Sequence, residues 1–164
     1  MRAWMLVPLS ILAGCSETTD TAKAEEAPAA TMLDAGQWQV SREVTRLTQA
    51  DKGKPAIDTP AGTKSASQAC VGEAERKKPD PALFAEEGES CTYKNFYMGN
   101  GRLNVSLSCE RPKLSGAVFK TVEATFTAGG IDGTSRIDTY LASDGDVKID
   151  EKITAKHIGA CAAG

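Results

Sequence analysis

Residues 91–109 read CTYKNFYMGNGRLNVSLSC and contain the clearest strand pattern of the chain. From Arg102 to Cys109 apolar residues alternate with polar ones, which predicts a strand with one buried face. The triplet at residues 99–101, Gly-Asn-Gly, joins this segment to a preceding strand over residues 91–98 and predicts a β-hairpin. The stretch therefore indicates an antiparallel sheet as the framework of the protein.

Four cysteines besides Cys15 form an even set, and in an exported domain such a set predicts disulfides with three possible pairings. If the hairpin loop has three residues, Met98 lies opposite Arg102, and counting back places Cys91 opposite Cys109. The remaining bridge then joins Cys70 to Cys161. The same register predicts that the two hairpin cysteines share one face with Tyr93, Tyr97, Leu103, Val105 and Leu107.

Alternating segments recur along the rest of the chain, and turn signals separate them. Trp38, Val40 and Val44 share one face of a first strand, and Arg42 and Arg46 have the same parity, which indicates a sheet rim or a polar cavity. Further strands are predicted around residues 118–126, 137–141 and 147–155. The chain therefore predicts a mainly β domain, a curved antiparallel meander of about six strands, with its closure into a barrel left open.

Helix is predicted only in the middle of the chain. Residues 73–78 have room for about two turns. Asp80-Pro81 resembles an N-cap followed by proline at the first helical position, with the helix running through Glu87 to Gly88. Before these, residues 49–68 contain Ile57 as their only large apolar residue, and they predict a long loop or lid.

The N-terminal 14 residues predict a secretory signal, with Arg2 followed by a short apolar run from Ala3 to Leu12. The run is too short for a transmembrane helix. The sequence Leu12-Ala13-Gly14-Cys15 resembles a bacterial lipobox, so the signal peptide is residues 1–14 and Cys15 is the lipidation site. Because Ser16, rather than aspartate, follows the cysteine, we expect the periplasmic face of the outer membrane in a Gram-negative host.

Composition limits the mature chain to one domain on a tether. Residues 15–31 hold the lipidated cysteine and a segment without large apolar residues before Met32, which predicts flexibility. Residues 32–164 form the single β-rich domain. Without Arg2 the chain has 18 basic and 22 acidic residues, a net charge of −4. This mildly acidic balance argues against nucleic acid as a partner. The lipid on Cys15 makes the membrane an expected partner.

Catalytic motifs are missing from the sequence. His157 is the only histidine, and its parity with Ile153 and Ala155 predicts a strand residue packed near the core. No GxSxG or CxxC sequence occurs, and the cysteines lack the close spacing of a zinc site. We therefore expect no enzyme activity, no cofactor and no metal.

Four short motifs resemble the bacterial domain-of-unknown-function family 3617. They are the Gly-x-Trp opening at residues 36–40, Gln68-Ala69-Cys70, the middle pair Cys91 and Cys109, and the Gly-x-Cys closing at residues 158–161. The match spans about residues 33–161. The resemblance implies an exported protein, often a lipoprotein, with disulfides and β structure and with no assigned activity.

The leading hypothesis is a non-enzymatic envelope lipoprotein that binds an unknown protein or a small apolar ligand through its curved sheet. Trp38, the only tryptophan of the mature chain, is the candidate ligand-facing residue, and a plain packing anchor is its alternative. Two other functions stay open: an inhibitor of an envelope-attacking hydrolase, similar to lysozyme inhibitors, and a carrier of small apolar ligands.

We predict that the mature protein begins at Cys15 and carries lipid on that residue. Mass spectrometry of the protein expressed in a Gram-negative host should find an acylated N-terminal cysteine, and the protein should partition into detergent. A Cys15→Ala variant should remain in the aqueous phase, because it lacks the thiol that accepts the lipid. Partition of the variant into detergent to the same extent as the parent would refute lipidation at this residue.

Overall fold

The computed structural model describes residues 29–143 and 145–162, in which seven strands form one sheet rather than the predicted six or so. The strands are β1 (Gly36–Gln49), β2 (Lys64–Val71), β3 (Ser90–Gly99), β4 (Arg102–Glu110), β5 (Gly116–Thr127), β6 (Gly130–Leu141) and β7 (Val147–Gly159). The predicted signal peptide, Cys15 and most of the tether lie outside the described residues.

The sheet is antiparallel throughout, with strand order β2-β1-β7-β6-β5-β4-β3. Strands β3 to β7 form the predicted meander, and β1 pairs with β7 beside it. The sheet curls into a half-barrel that stays open, because β2 and β3 are its two edges and do not pair with each other. The prediction of a mainly β, curved antiparallel sheet is confirmed.

The hairpin of β3 and β4 differs from the predicted register in two places. Its turn has two residues, Asn100 and Gly101, both with positive φ (51° and 69°), as a tight hairpin turn requires. Gly99 therefore lies opposite Arg102, but a bulge at Lys94 shifts the register back by one residue. The two differences cancel, so Cys91 still lies opposite Cys109.

The bulge at Lys94 changes which aromatic side chains of β3 face the core. Beyond it Phe96 and Met98 pack against the core, while Tyr97 is 53% exposed. The placement of Tyr97 on the inner face was therefore wrong. An extra residue in a strand reverses the parity of every residue after it, and alternation alone does not locate such a residue.

A second bulge, in β1, separates the two arginines that the sequence placed on one face. The register between β1 and β7 shifts at Thr45, between Val44 and Arg46. Arg42 is buried on the inner face, whereas the Arg46 side chain is 68% exposed on the outer face. The prediction of a shared face was therefore wrong for Arg46 and correct for Arg42.

The predicted loop at residues 49–68 is shorter than expected, because Lys64–Val71 form edge strand β2. The segment of residues 50–63 caps one end of the half-barrel and is held there by the Asp51 carboxylate. This carboxylate accepts hydrogen bonds from the amides of Gly145 and Asp146, at 2.8 and 2.9 Å. Ile57, which belongs to this cap, is buried.

The helical content is smaller than predicted. Residues 73–78 contain one 3-10 turn, Glu73–Glu75, and the second helix is the 3-10 turn Pro81–Leu83 rather than a helix reaching Glu87. The predicted cap is present, because the Asp80 carboxylate accepts a hydrogen bond from the amide of Ala82 at 2.8 Å. Two short turns suffice because the segment is fixed by tertiary contacts.

This segment fills the concave face of the sheet. Residues 72–89 connect β2 to β3, the two opposite edges, and so run across the open side of the half-barrel. Leu83 and Phe84 are each only 1% exposed and belong to one core with the apolar residues of the sheet. The protein thus covers the inner face of its own sheet.

The two disulfides lie at opposite edges of the sheet. Cys91–Cys109 joins the paired strands β3 and β4, and Cys70–Cys161 joins β2 to the chain just after β7. This is the pairing derived from the hairpin register. Each bridge closes a loop in the unfolded chain and is expected to stabilise the fold by about 3 to 5 kcal/mol.

The bulge at Lys94 can be tested with two neighbouring substitutions. Phe96→Ala should lower the free energy of unfolding by about 2 kcal/mol, because it removes a partly buried ring from the core. Tyr97→Ala should change it by less than about 1 kcal/mol, because that ring is exposed. Urea unfolding of both variants measures the difference, and a larger loss for Tyr97→Ala would show that the strand has no bulge.

Candidate functional site

A network of buried charges lies between the inner face of the sheet and the connecting segment. The ammonium group of Lys120, on β5, contacts a carboxylate oxygen of Glu89 at 3.0 Å and lies 3.6 Å from Glu86. Arg111 contacts both carboxylates, at 2.6 Å each. The side chains of Lys120 and Glu89 have no exposed area. Opposite charges compensate one another in this network, as burial of charge requires.

The strand geometry explains why a lysine lies in the core. Lys120 has the same parity as Val118 and Val122, so its side chain points to the inner face of β5. Glu89 reaches it from the end of the segment that crosses the open side. Lys120 also donates a hydrogen bond to the carbonyl of Phe84, at 3.3 Å, so this one side chain holds two points of the connecting segment.

Two buried glutamates of the inner face have opposite pKa shifts. Burial raises the pKa of Glu89, but Lys120, the amide of Glu86 and Arg111 lower it more, and the net pKa lies below its usual value. Glu151, on β7, has its pKa raised chiefly by burial, against the opposing effect of Lys120. Glu89 is therefore the stronger acid, and Glu151 is a carboxyl group whose charge is poorly compensated.

Arg42 extends the polar cluster toward β1 and β2. Its guanidinium donates hydrogen bonds to the hydroxyl of Ser67 at 3.0 Å and to the carbonyl of Ala85 at 2.8 Å. Burial lowers its pKa, while Glu151 acts in the opposite direction. The expectation of a polar cavity near Arg42 is fulfilled by a small cavity of about 60 Å³ between Arg42, Glu151 and the cap of residues 50–63.

The outer face of the sheet carries an open polar groove. It crosses β1, β7, β6 and β5, has a volume of about 710 Å³ and is called the outer groove below. Asp150 lies in one cross-strand row with Arg46, Arg136 and Thr121, and accepts a hydrogen bond of 2.9 Å from each arginine. The hydrogen bond from Arg136 is the main cause of the lowered pKa of Asp150.

Two exposed aromatic rings continue this surface. Phe119 precedes Thr121 by two residues on the outer face of β5, so it lies one row beyond the groove. Its ring meets that of Tyr140 edge to face, with centroids 5.6 Å apart, and the residues are 38% and 60% exposed. The outer groove therefore offers carboxylates, guanidinium groups and hydroxyls next to two exposed aromatic rings.

Trp38 and His157, which the sequence singled out, pack against neighbouring residues. Trp38 is fully buried, and its indole N–H donates to the carbonyl of Asp34 at 3.0 Å. It is therefore a packing residue, and its role as a ligand-facing residue is not supported by its position. His157 packs against Trp38, with ring centroids 5.9 Å apart, and its Nε2 lies 3.1 Å from the carbonyl of Ala35. Cys15 lies outside the described residues.

One group of metal-ligand atoms comes together in the described part of the chain. A carboxylate oxygen of Glu89 and the sulfurs of Cys91 and Cys109 lie within 4.8 Å of one another. The sulfurs form a disulfide and the carboxylate is engaged by Lys120 and Arg111. With the sulfurs in a disulfide, this group does not suit a metal ion, because cysteine binds metal as the free thiolate.

Apart from Arg42, the buried charges were missed in the sequence, although a signal for two of them was present. Lys120 stands between Val118 and Val122, and Glu151 stands between Ile149 and Ile153, each at an inward position of an apolar face. A charged residue at such a position either ends the buried stretch or has a partner inside. The partners Glu89 and Arg111 could not be found this way, because they lie in irregular segments.

The chain belongs to a family of unknown function. Residues 33–161 match the family model described as protein of unknown function (DUF3617), which covers nearly all of the described domain. No curated protein and no solved structure matches the chain. Within the residues that the structure describes, no helix has the length and apolar character to cross a membrane.

Proposed function

We propose that this protein is a non-enzymatic, lipid-anchored module of the cell envelope that binds a glycan strand in its outer groove. The observation that carries the proposal is the contrast between the two faces of the sheet. The inner face is filled by Leu83, Phe84 and the rest of the core, whereas the outer face carries the open groove of about 710 Å³. Binding is therefore assigned to the outside of the half-barrel.

The filled inner face argues against a carrier of small apolar ligands. Such carriers need an apolar cavity of several hundred Å³. A cavity on the inner face near Arg42 and Glu151 has a volume of only about 60 Å³ and is partly lined by charged groups. The geometry instead supports binding of a partner to the outer face of the sheet.

The chemistry of the outer groove suits a polymer rich in hydroxyl groups. The groove is lined by three basic residues and four acidic ones, so it has no strongly dominant charge that would select an ion: Arg46, Arg136 and Lys152 against Glu123, Asp132, Asp150 and Glu151. Sugar hydroxyls donate to carboxylates and accept from guanidinium groups, and these charge-assisted hydrogen bonds are strong. The flat apolar face of a sugar ring can pack on the exposed pair Phe119 and Tyr140.

The expected anchor would place this groove near such a polymer. With lipid on Cys15, residues 16–30 would span up to about 50 Å when fully extended. A domain held at the periplasmic face of the outer membrane would then reach the glycan strands of the peptidoglycan layer. Residues 15–162 would thus act as a tethered contact between the membrane and the wall.

The proposal predicts that substitutions in or beside the groove weaken binding to isolated glycan strands. Full-length protein in mild detergent would be incubated with strands freed of peptide by an amidase, and the bound fraction would be measured by co-sedimentation. Arg136→Ala and the double variant Phe119→Ala/Tyr140→Ala should each weaken binding at least about tenfold, because they remove hydrogen-bond donors and the stacking surface. Tyr97→Ala, an exposed aromatic outside the groove, is the matched control and should bind normally.

Equal binding by all variants, or no binding by the parent protein, would contradict the proposal. Lysozyme activity on the same strands would be measured in parallel, with more strands than the protein can bind. Under this condition binding to the strands cannot protect them from lysozyme. Inhibition that persists, together with direct binding to lysozyme, would favour the inhibitor alternative instead.

A further inference from the structure

The open edge of β2 borders a second groove, which is separate from the outer groove. This groove, called the edge groove below, has a volume of about 370 Å³ and lies between β2 and the segment of residues 82–89. We propose that an extended segment of a partner protein, carrying a basic side chain, binds in the edge groove and adds a strand to β2. The inference goes beyond the proposed function and does not depend on it.

Hydrogen bonds at the start of β2 show which backbone groups of this strand face outward. The N–H of Val44 on β1 donates to the carbonyl of Thr63 at 2.9 Å, and its carbonyl accepts from Gly62 at 2.7 Å. The backbone of Val44 therefore faces β2, and so does that of every second residue before it, because backbone groups alternate in direction along a strand. The residues of β2 that lie opposite these positions bond to β1: Ser65, Ser67 and Ala69. The intervening residues of β2 direct their N–H and C=O groups to the open edge: Lys64, Ala66, Gln68 and Cys70.

The lining of the edge groove agrees with this direction. Ala66, Ser67 and Gln68 all line it, although their side chains alternate between the two faces of the sheet. A groove that touches three consecutive residues of a strand runs along the edge of that strand, where the backbone is accessible. In the described part of the chain no strand pairs with this side of β2. The groove therefore offers the backbone groups with which an added strand forms hydrogen bonds.

β2 lacks the features that usually protect an edge strand from further pairing. Natural edges carry proline, charged residues or a bulge. The other edge of this sheet has such a bulge, at Lys94 of β3. The register of β2 with β1 is regular from Lys64 to Val71, and Lys64 is the only charged residue of the strand. β2 is thus the edge of the sheet at which a further strand can pair.

The side of the edge groove toward the sheet interior is fixed by Arg42. Its guanidinium donates hydrogen bonds to the hydroxyl of Ser67 at 3.0 Å and to the carbonyl of Ala85 at 2.8 Å. These bonds join β2 to the 82–89 segment on the inner side of the sheet, whereas an added strand lies beside β2 in the plane of the sheet. Arg42 itself is 3% exposed and does not line the groove. Its contacts are therefore kept when a strand binds.

The charge of the edge groove favours a basic side chain on that strand. Among the described residues that line it three are acidic and none is basic: Glu86, Glu87 and Glu89. Glu86 and Glu89 are both paired with Arg111. Glu87 is exposed, and none of the ion pairs in the described part of the chain includes it. Glu87 is therefore the carboxylate that can pair with a lysine or arginine of the added strand.

Charge also argues against a second copy of the chain as the occupant. A two-fold axis between two antiparallel β2 strands keeps both inner faces on one side of the joined sheet. Glu87 of each copy would then lie on the same side of the joined edges, and the like charges would repel.

The tether of the same chain is disfavoured for two reasons. Residues 16–28 contain four acidic residues and one lysine, so their charge has the same sign as that of Glu87. The described chain also begins far from β2, at the β3 edge, where the N–H of Gly101 donates to the carbonyl of Ala30 at 3.0 Å. A basic segment of another protein is the occupant that these observations favour.

Hydrogen exchange measured by nuclear magnetic resonance tests the site with a defined peptide. The full mature protein in detergent micelles would be incubated with a heptapeptide of alternating threonine and lysine, blocked at both ends. This peptide keeps its pattern when its register shifts by two residues. Exchange should slow, in a saturable manner, at the outward amides of Ala66 and Gln68. It should stay unchanged at Ser67, whose amide already faces β1.

Two substitutions test the charge and the backbone separately. Glu87→Gln should weaken peptide binding about threefold, because it removes one exposed charge pair. Glu110→Gln, at an exposed glutamate outside the groove, is the matched control and should bind as the parent does. Gln68→Pro removes an outward N–H and leaves the pairing with β1 intact, since an edge strand accepts proline on its open side. This variant should weaken binding at least about fivefold.

Two further peptides decide whether the backbone and the positive charge are both needed. The threonine–lysine peptide with a methyl group on every backbone nitrogen keeps its charge but cannot pair with a strand, and a threonine–glutamate peptide reverses the charge. Protection of Ala66 and Gln68 by either peptide, equal to that by the parent peptide, would overturn the proposal. Absence of protection by the threonine–lysine peptide would overturn it as well. Protection that appears without peptide and rises with protein concentration would identify a second copy as the occupant instead.

Discussion

The buried ion pair between Lys120 and Glu89 holds the connection between β2 and β3 against the inner face of the sheet. A sheet with two unpaired edges exposes its concave face unless another part of the chain covers it. Here the connection between those edges lies across the concave face, and Lys120 binds it at Phe84 and Glu89. Both charged side chains are without exposed area, so neither can exchange its partner for water. Removing one partner leaves a buried charge uncompensated, which is strongly destabilising.

This arrangement determines where the molecule can act. Because Leu83 and Phe84 occupy the inner face, the half-barrel resembles a ligand carrier in shape but has no large apolar cavity in its described part. The outer groove lies on the face of the sheet that the connecting segment does not cover. Arg42 and Glu151 line a small cavity in this interior, and burial shifts the pKa of each toward its uncharged form.

The sequence was sufficient for the class of fold and insufficient for its details. Alternation predicted the meander, and the hairpin at residues 91–109 led to both disulfide pairs. Bulges at Lys94 and Thr45 were not predictable, because an extra residue leaves no mark in an alternating pattern until the partner strand is known. Strand β2 was missed because its small and polar residues are typical of a loop. The outer groove depends on residues from four strands, and no local motif brings Arg46, Arg136 and Asp150 together.

The role of the Lys120–Glu89 pair can be tested by measuring the free energy of unfolding of Glu89→Gln and Glu151→Gln between about pH 3 and pH 8. Glu89 has a lowered pKa, so its charge stabilises the fold above the usual value of 4.5, and this contribution is lost as the pH falls below it. Glu89→Gln should therefore cost about 3 kcal/mol near pH 7, with the deficit shrinking in acid. Glu151 has a raised pKa, so its charge destabilises the fold as the pH rises above 4.5, and Glu151→Gln should gain stability over that range. A Glu89→Gln variant as stable as the parent at pH 7, or a deficit that does not change with pH, would contradict the central role of the Lys120–Glu89 pair.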